Sequence, residues 1–245
     1  LAVALVEAGD KESAAEVALL APEEQGTMGL IYLVKHAAEW GNVALAIKVT
    51  EWIETPGGRA MAHCQVAMAQ ANEGNSSAAV ATIQKASGFV PNISQNEKAN
   101  VLIEIASVQL AVGMKPAAVA TGVQALRSIR ADKNGFRNAS RKKRLARVLI
   151  RAGAIQKVKE LIKPGNDMFT RSLNASARPD LAAIMAEEGE VEAALEWIKR
   201  FPGRSDQSKS DAYGKIAEGL AEKGKFKEAL EILKIDKSQF SSKSR

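Results

Sequence analysis

The chain has 245 residues, 46% of them hydrophobic and only 4% aromatic, with a formal net charge of +6. That length can bury a sizeable core, the longest apolar runs fall far short of the roughly 20 residues a membrane helix needs, and the single cysteine, Cys64, excludes an internal disulfide framework. No Gly-rich phosphate loop and no spaced His or Cys ligand pair occurs, so the residues call for no cofactor and no metal.

In chain order the sequence repeats one unit: a helix pattern, a glycine turn, a second helix pattern. Aligned on the turn, the copies fall at Gly9, Gly41, Gly74, Gly113, Gly153, Gly189 and Gly224, at intervals of 32, 33, 39, 40, 36 and 35 residues. A sustained period of this size marks a stacked-repeat architecture.

The first copy opens at Leu1 inside a helix-like pattern, which reads as a fragment or processed product and leaves Leu1, Val3, Leu5 and Val6 as an uncapped apolar end open to self-association. The second is predicted from about Thr27 to Ile53, ending at Thr55-Pro56-Gly57-Gly58. The third runs from about Arg59 to Ala86, its second helix capped by Asn75 or Ser76. Ser94-x-x-Glu97 reads as a capping box for the fourth, whose second helix begins at Pro116. A polar connection over 129–139 leads to the fifth, with RKKRLARVLIRAG as its first helix; the sixth follows near Pro179, and the seventh takes Ser208-x-x-Asp211 as its cap. Residues 1–235 thus read as one elongated domain and 236–245 as a polar tail.

Seven residues before the glycine stand Ala2, Val34, Ala67, Ala106, Ala146, Ala182 and Ala217, each preceded by Leu1, Leu33, Val66, Ile105, Leu145, Leu181 or Ile216. Five residues after it come Ala14, Ala46, Ala79, Ala118, Val158, Ala194 and Ala229. Their 3-and-4 spacing puts one apolar stripe on each helix. A hairpin with such stripes buries them only by stacking on its neighbours.

On these residues the unit resembles a tetratricopeptide (TPR) repeat or a degenerate TPR-like relative. The match is a large and a small apolar residue late in the first helix, the glycine turn, an aromatic or branched residue two positions on (Val43, Ile155, Val191, Phe226), then the Ala-plus-apolar pair. The early family aromatic is approached only by Tyr213, and its closing proline falls in phase only at Pro91. The resemblance implies an all-α, right-handed α-solenoid of about seven antiparallel hairpins whose first helices line a concave groove. It further implies a protein-binding or scaffolding module and no enzyme.

That groove gives the charge a meaning. Residues 130–163 hold 12 Lys and Arg against two Asp and Glu, a local +10 that leaves the rest of the chain at −4. By resemblance, the groove positions of the fifth copy are Lys143, Arg144, Arg147 and Arg151, and their helical spacing alone sets Arg144, Arg147 and Arg151 on one stripe. An ordinary solvated face is one reading of such a run. An anionic partner is the other: an acidic peptide or a C-terminal carboxylate, or the phosphates of a nucleic acid. For a nucleic acid the stacking aromatics are missing, since Phe136 is the sole aromatic of that stretch. A regulatory subunit of an enzyme is a further alternative.

The remaining groove positions are Tyr32 and Lys35; Cys64, Gln65 and Met68; Asn100, Ile103, Glu104 and Ser107; Asp180, Ala183 and Glu187; Lys215, Glu218 and Glu222. His63 and Cys64 are adjacent, so on a helix they point about 100° apart and read as structural. The compartment is open: a soluble chain, cytoplasmic or exported after signal removal.

Overall fold

The structure is a computed structural model that describes residues 23–132, 135–161, 181–199 and 206–241, with isolated positions before them. Every regular element among these is helical, and no strand occurs among the described residues. The chain forms two compact units, Leu1–Asp132 and Lys133–Arg245.

In the first unit the helices are α1 (Glu23–Glu39), α2 (Val43–Glu51), α3 (Pro56–Asn72), α4 (Ser76–Phe89), α5 (Gln95–Ala111) and α6 (Lys115–Ala131). They pair as the hairpins α1–α2, α3–α4 and α5–α6, and the first helices pack in turn, α1 on α3 and α3 on α5. The second unit contains α7 (Gly135–Arg151), α8 (Ile155–Leu161), α9 (181–187), α10 (Val191–Lys199), α11 (Asp206–Glu222) and α12 (Phe226–Ser241). Here α7 packs on α8, α10 on α11, and α11 on α12.

The turns explain the glycine register. Gly41, Gly74, Gly113, Gly153, Gly189 and Gly224 all have positive φ, from 74° to 91°, and Gly9 lies outside the described residues. Each of the six glycines closes a helix as its left-handed C-terminal residue, and the next N–H reaches back to a helix carbonyl: Asn42 to Ala37, Asn75 to Gln70, Met114 to Gln109, Ala154 to Leu149, Glu190 to Met185, Lys225 to Leu220, at 2.7–2.9 Å. A non-glycine residue is disfavoured there by about 1–2 kcal/mol.

Packing follows the small-beside-large pattern. Leu33 and Val34, Val66 and Ala67, Ile105 and Ala106, Leu145 and Ala146, Leu181 and Ala182, Ile216 and Ala217 are all buried, as are Ala46, Ala79, Ala118, Val158, Ala194 and Ala229. Leu5 packs against the cluster of Leu30, Leu33, Val34, Val49 and Ile53; Leu1, Val3 and Val6 lie outside the described residues.

Several local expectations shift. The second copy starts at Glu23 rather than Thr27, and Pro56 opens α3 as its first residue, where a missing N–H costs nothing. Asn75 is the cap of α4, its Oδ1 accepting from Ala78 N–H at 3.2 Å. Ser94 makes no such cap bond; its Oγ donates to Glu97 Oε2. Residues 129–139 are mostly helical: α6 runs to Ala131 and α7 begins at Gly135. Ser208 falls inside α11, which starts at Asp206, and α12 continues to Ser241, into the stretch read as a tail.

Candidate functional site

Three first helices of the second unit build one cleft of about 270 Å³. Lys143 and Arg147 come from α7; Ala183, Ile184 and Glu187 from α9; Lys215, Glu218, Gly219 and Glu222 from α11. All nine positions lie two to ten residues before a turn glycine, so the cleft is the first-helix face of the stack. A matching cleft of about 260 Å³ lies in the first unit, lined by Lys35, Ala38 and Glu39 of α1 and by Gln65, Met68, Ala69 and Asn72 of α3, with Glu73 just beyond it.

The floor of the second-unit cleft is small by necessity. A Cβ added at Gly219 would stand 2.7 Å from Glu187 Cγ, so glycine there lets the Glu187 side chain lie across α11. The rim is charged with both signs: Lys143, Arg147 and Lys215 against Glu187, Glu218 and Glu222. Arg147, Glu218 and Glu222 close no ion pair among the described residues. Their charges are open to an incoming group.

The four basic residues singled out by sequence do not act alike. Lys143 and Arg147 line the cleft. Arg151 is held by Glu188, with Nε donating to Oε1 at 2.7 Å, and Arg144 is partly buried and is not a lining residue. The acidic counterparts Glu187, Glu218 and Glu222 were legible as groove positions, but their facing the basic stripe was not. Arg141 is buried beside Asn138, so residues 141–144 are no exposed basic run.

Two groove expectations fail. Cys64 and Ile103, both ten residues before their glycines, are buried, whereas Lys143 at the same register lines the cleft. Burial, and then Glu104, push the Cys64 thiol well above its ordinary range, which makes it a poor nucleophile. His63 is half-buried and stacks on Phe89 at 5.9 Å between ring centroids, with Nδ1 buried and unpartnered. Burial first, then Lys85 and Arg59, hold its pKa below the ordinary value. No group of three or more His, Cys, Asp or Glu that could hold a metal occurs among the described residues. None of the helices is long and apolar enough to cross a membrane among the described residues.

No family model and no curated protein matches the chain. Among solved structures it is similar to Ton1535 from Thermococcus onnurineus NA1, with 16% identity over 94% of this chain and 92% of that one, at a TM-score of 0.43. It is also similar to the nearly identical TPR-like repeats of a kinesin light chain from Podosopora anserina and to a single-residue variant of them. Both share 18% identity over 78% of this chain and 99% of theirs, at TM-scores of 0.46 and 0.47. The positive-φ glycine turns and the buried stripes give the chain its helical hairpins.

Proposed function

We propose that the chain is a protein-interaction module whose first-helix face holds a partner's peptide segment bearing charges of both signs. The observation that supports this reading is the cleft in which Lys143 and Arg147 face Glu187, Glu218 and Glu222. Arg147 on one side of the rim and Glu218 and Glu222 on the other close no ion pair among the described residues, and a ligand that bridges them gains charge-assisted hydrogen bonds at both ends. An acidic group of the segment would lie on Lys143 and Arg147, with Arg144 and Arg151 flanking, and a basic group on Glu218 and Glu222. This polarity gives the segment a direction. A uniformly acidic segment, or a nucleic acid held through its phosphates, would meet three carboxylates on the same rim.

The test uses labelled peptides with an acidic half and a basic half, an all-Glu peptide, and single-stranded RNA. The mixed-charge peptide is expected to bind most tightly. Combined Lys143→Glu and Arg147→Glu should weaken it about tenfold or more, in line with the roughly 1.5–3 kcal/mol of a hydrogen bond to a charged group. Tighter binding of RNA with a steep salt dependence would replace this reading with the nucleic-acid one. Equal binding by the double variant would overturn the site.

A further inference from the structure

The two first-helix clefts share a register and differ in chemistry. Counted back from the turn glycine, Gln65, Met68, Ala69 and Asn72 of α3 hold the positions that Lys215, Glu218, Gly219 and Glu222 hold on α11. Glu39 of α1 likewise corresponds to Glu187 of α9. Three charged lining residues of the second-unit cleft are therefore replaced in the first unit by an amide, a thioether and an amide.

The charge that remains at the first-unit cleft is largely answered within it. Lys35 Nζ lies 3.7 Å from Glu39 Oε1, and His36 Nδ1 lies 3.5 Å from Glu39 Oε2. Glu73 closes no ion pair among the described residues. It stands just past α3 beside the Gly41 turn, where its Oε1 is 3.9 Å from an added Cβ. The floor is apolar, with Ala38 and Ala69 buried and Met68 half-buried. A charged group set on that floor loses water without gaining an opposite charge. A carboxylate would meet Glu73 as well.

Two amides flank Met68. The side chains of Gln65 and Asn72 make no hydrogen bond among the described residues, and each can both donate and accept. Seven residues apart, they stand about 10.5 Å from one another along α3, which is the length of about three residues of extended chain at ~3.3 Å each. The cleft volume of about 260 Å³ falls below the roughly 300–1,000 Å³ of pockets that enclose a whole drug-sized ligand. It suits one side chain and its adjoining backbone. We infer that this cleft is a second binding site, for an extended uncharged peptide segment. One aliphatic side chain of the segment seats on Met68, Ala38 and Ala69, and the main chain to either side bonds to Gln65 and Asn72. The flexible thioether lets the seat adapt to the shape of that side chain. None of these groups belongs to the second-unit cleft, so this site and the mixed-charge reading stand or fall separately.

The experiment labels the methionine methyls of the full chain with carbon-13 and titrates it with blocked heptapeptides of Ser and Asn that carry Leu, Glu or Lys at the centre. The Leu peptide is expected to move the Met68 resonance, identified by its loss in Met68→Leu, and to leave that of Met185, buried in the second unit, in place. Its Kd should lie at least about tenfold below those of the Glu and Lys peptides. Met68→Glu should abolish binding, read on the line width of the peptide's leucine methyls. Gln65→Ala with Asn72→Ala should weaken it about tenfold with helicity retained, because Asn72 is exposed and Gln65 only half-buried. Lys143→Glu with Arg147→Glu should leave it unchanged. An unmoved Met68 resonance, equal affinity for the Leu and Glu peptides, or undiminished binding by the amide variant would overturn the inference. So would loss of binding in the Lys143 and Arg147 variant, which would put the peptide in the other cleft. A Met68 resonance that moves with the concentration of the free chain would also overturn it, since the occupant would then be a second copy.

Discussion

Thr82 donates its hydroxyl to Gln70 Oε1 at 2.8 Å, with both residues buried, and so joins α4 to α3 inside one hairpin. The bond satisfies two polar groups that the surrounding alanines and aliphatics leave without water. Thr82→Val keeps the shape and removes the donor. It is expected to cost about 1–3 kcal/mol by stranding the Gln70 carbonyl, read as a lower denaturation midpoint at unchanged m-value. Thr82→Val with Gln70→Leu should recover much of the loss, because no polar group is then left unpaired.

Two glycine-to-alanine changes should act with opposite sign. Gly113 has φ 81° and nothing within 4 Å of an added Cβ, so Gly113→Ala meets only backbone strain and should destabilise by about 1–2 kcal/mol. Gly29 lies inside α1, also with open space around it. Gly29→Ala should therefore stabilise by about 0.8–1 kcal/mol through helix propensity. Thermal melts of the two variants against the parent check both signs.

His63 makes stability depend on pH in a stated direction. Its folded pKa is lowered below 6.5, so as pH falls through 6.5 the unfolded chain takes up the proton first and stability is lost. His63→Phe keeps a ring against Phe89 and removes the titration. The stability difference between parent and variant should shift toward the variant on going from about pH 7.5 to about pH 5. A difference that stays constant with pH would show that His63 does not titrate in this window.

The Arg151 and Glu188 pair ties the end of α7 to the turn after α9, but both side chains retain solvent contact. Its coupling energy in a double-mutant cycle should be about 0.2–1 kcal/mol and should shrink with added salt. A value several times larger would mean that the pair anchors α9 rather than decorating it.

Within a single hairpin the sequence was sufficient. Gly41 through Gly224 marked the turns because only glycine enters the left-handed region cheaply, and pairs such as Leu33–Val34 or Ile216–Ala217 marked the buried stripe because helical spacing of three and four fixes a face. Both rules are local. The first-helix cleft was legible in part for the same reason, since Ala183, Glu187, Lys215, Glu218 and Glu222 stand at equivalent register positions. How neighbouring hairpins meet came from three-dimensional packing alone. That packing set Lys143 and Arg147 opposite three carboxylates from helices far along the chain, tied Arg151 to Glu188, turned Cys64 and Ile103 into the stack, and left Phe226, Leu230 and Leu233 in water. Whether a helix face is core or surface depends on what stacks on it, and periodicity within one helix carries no record of its neighbour.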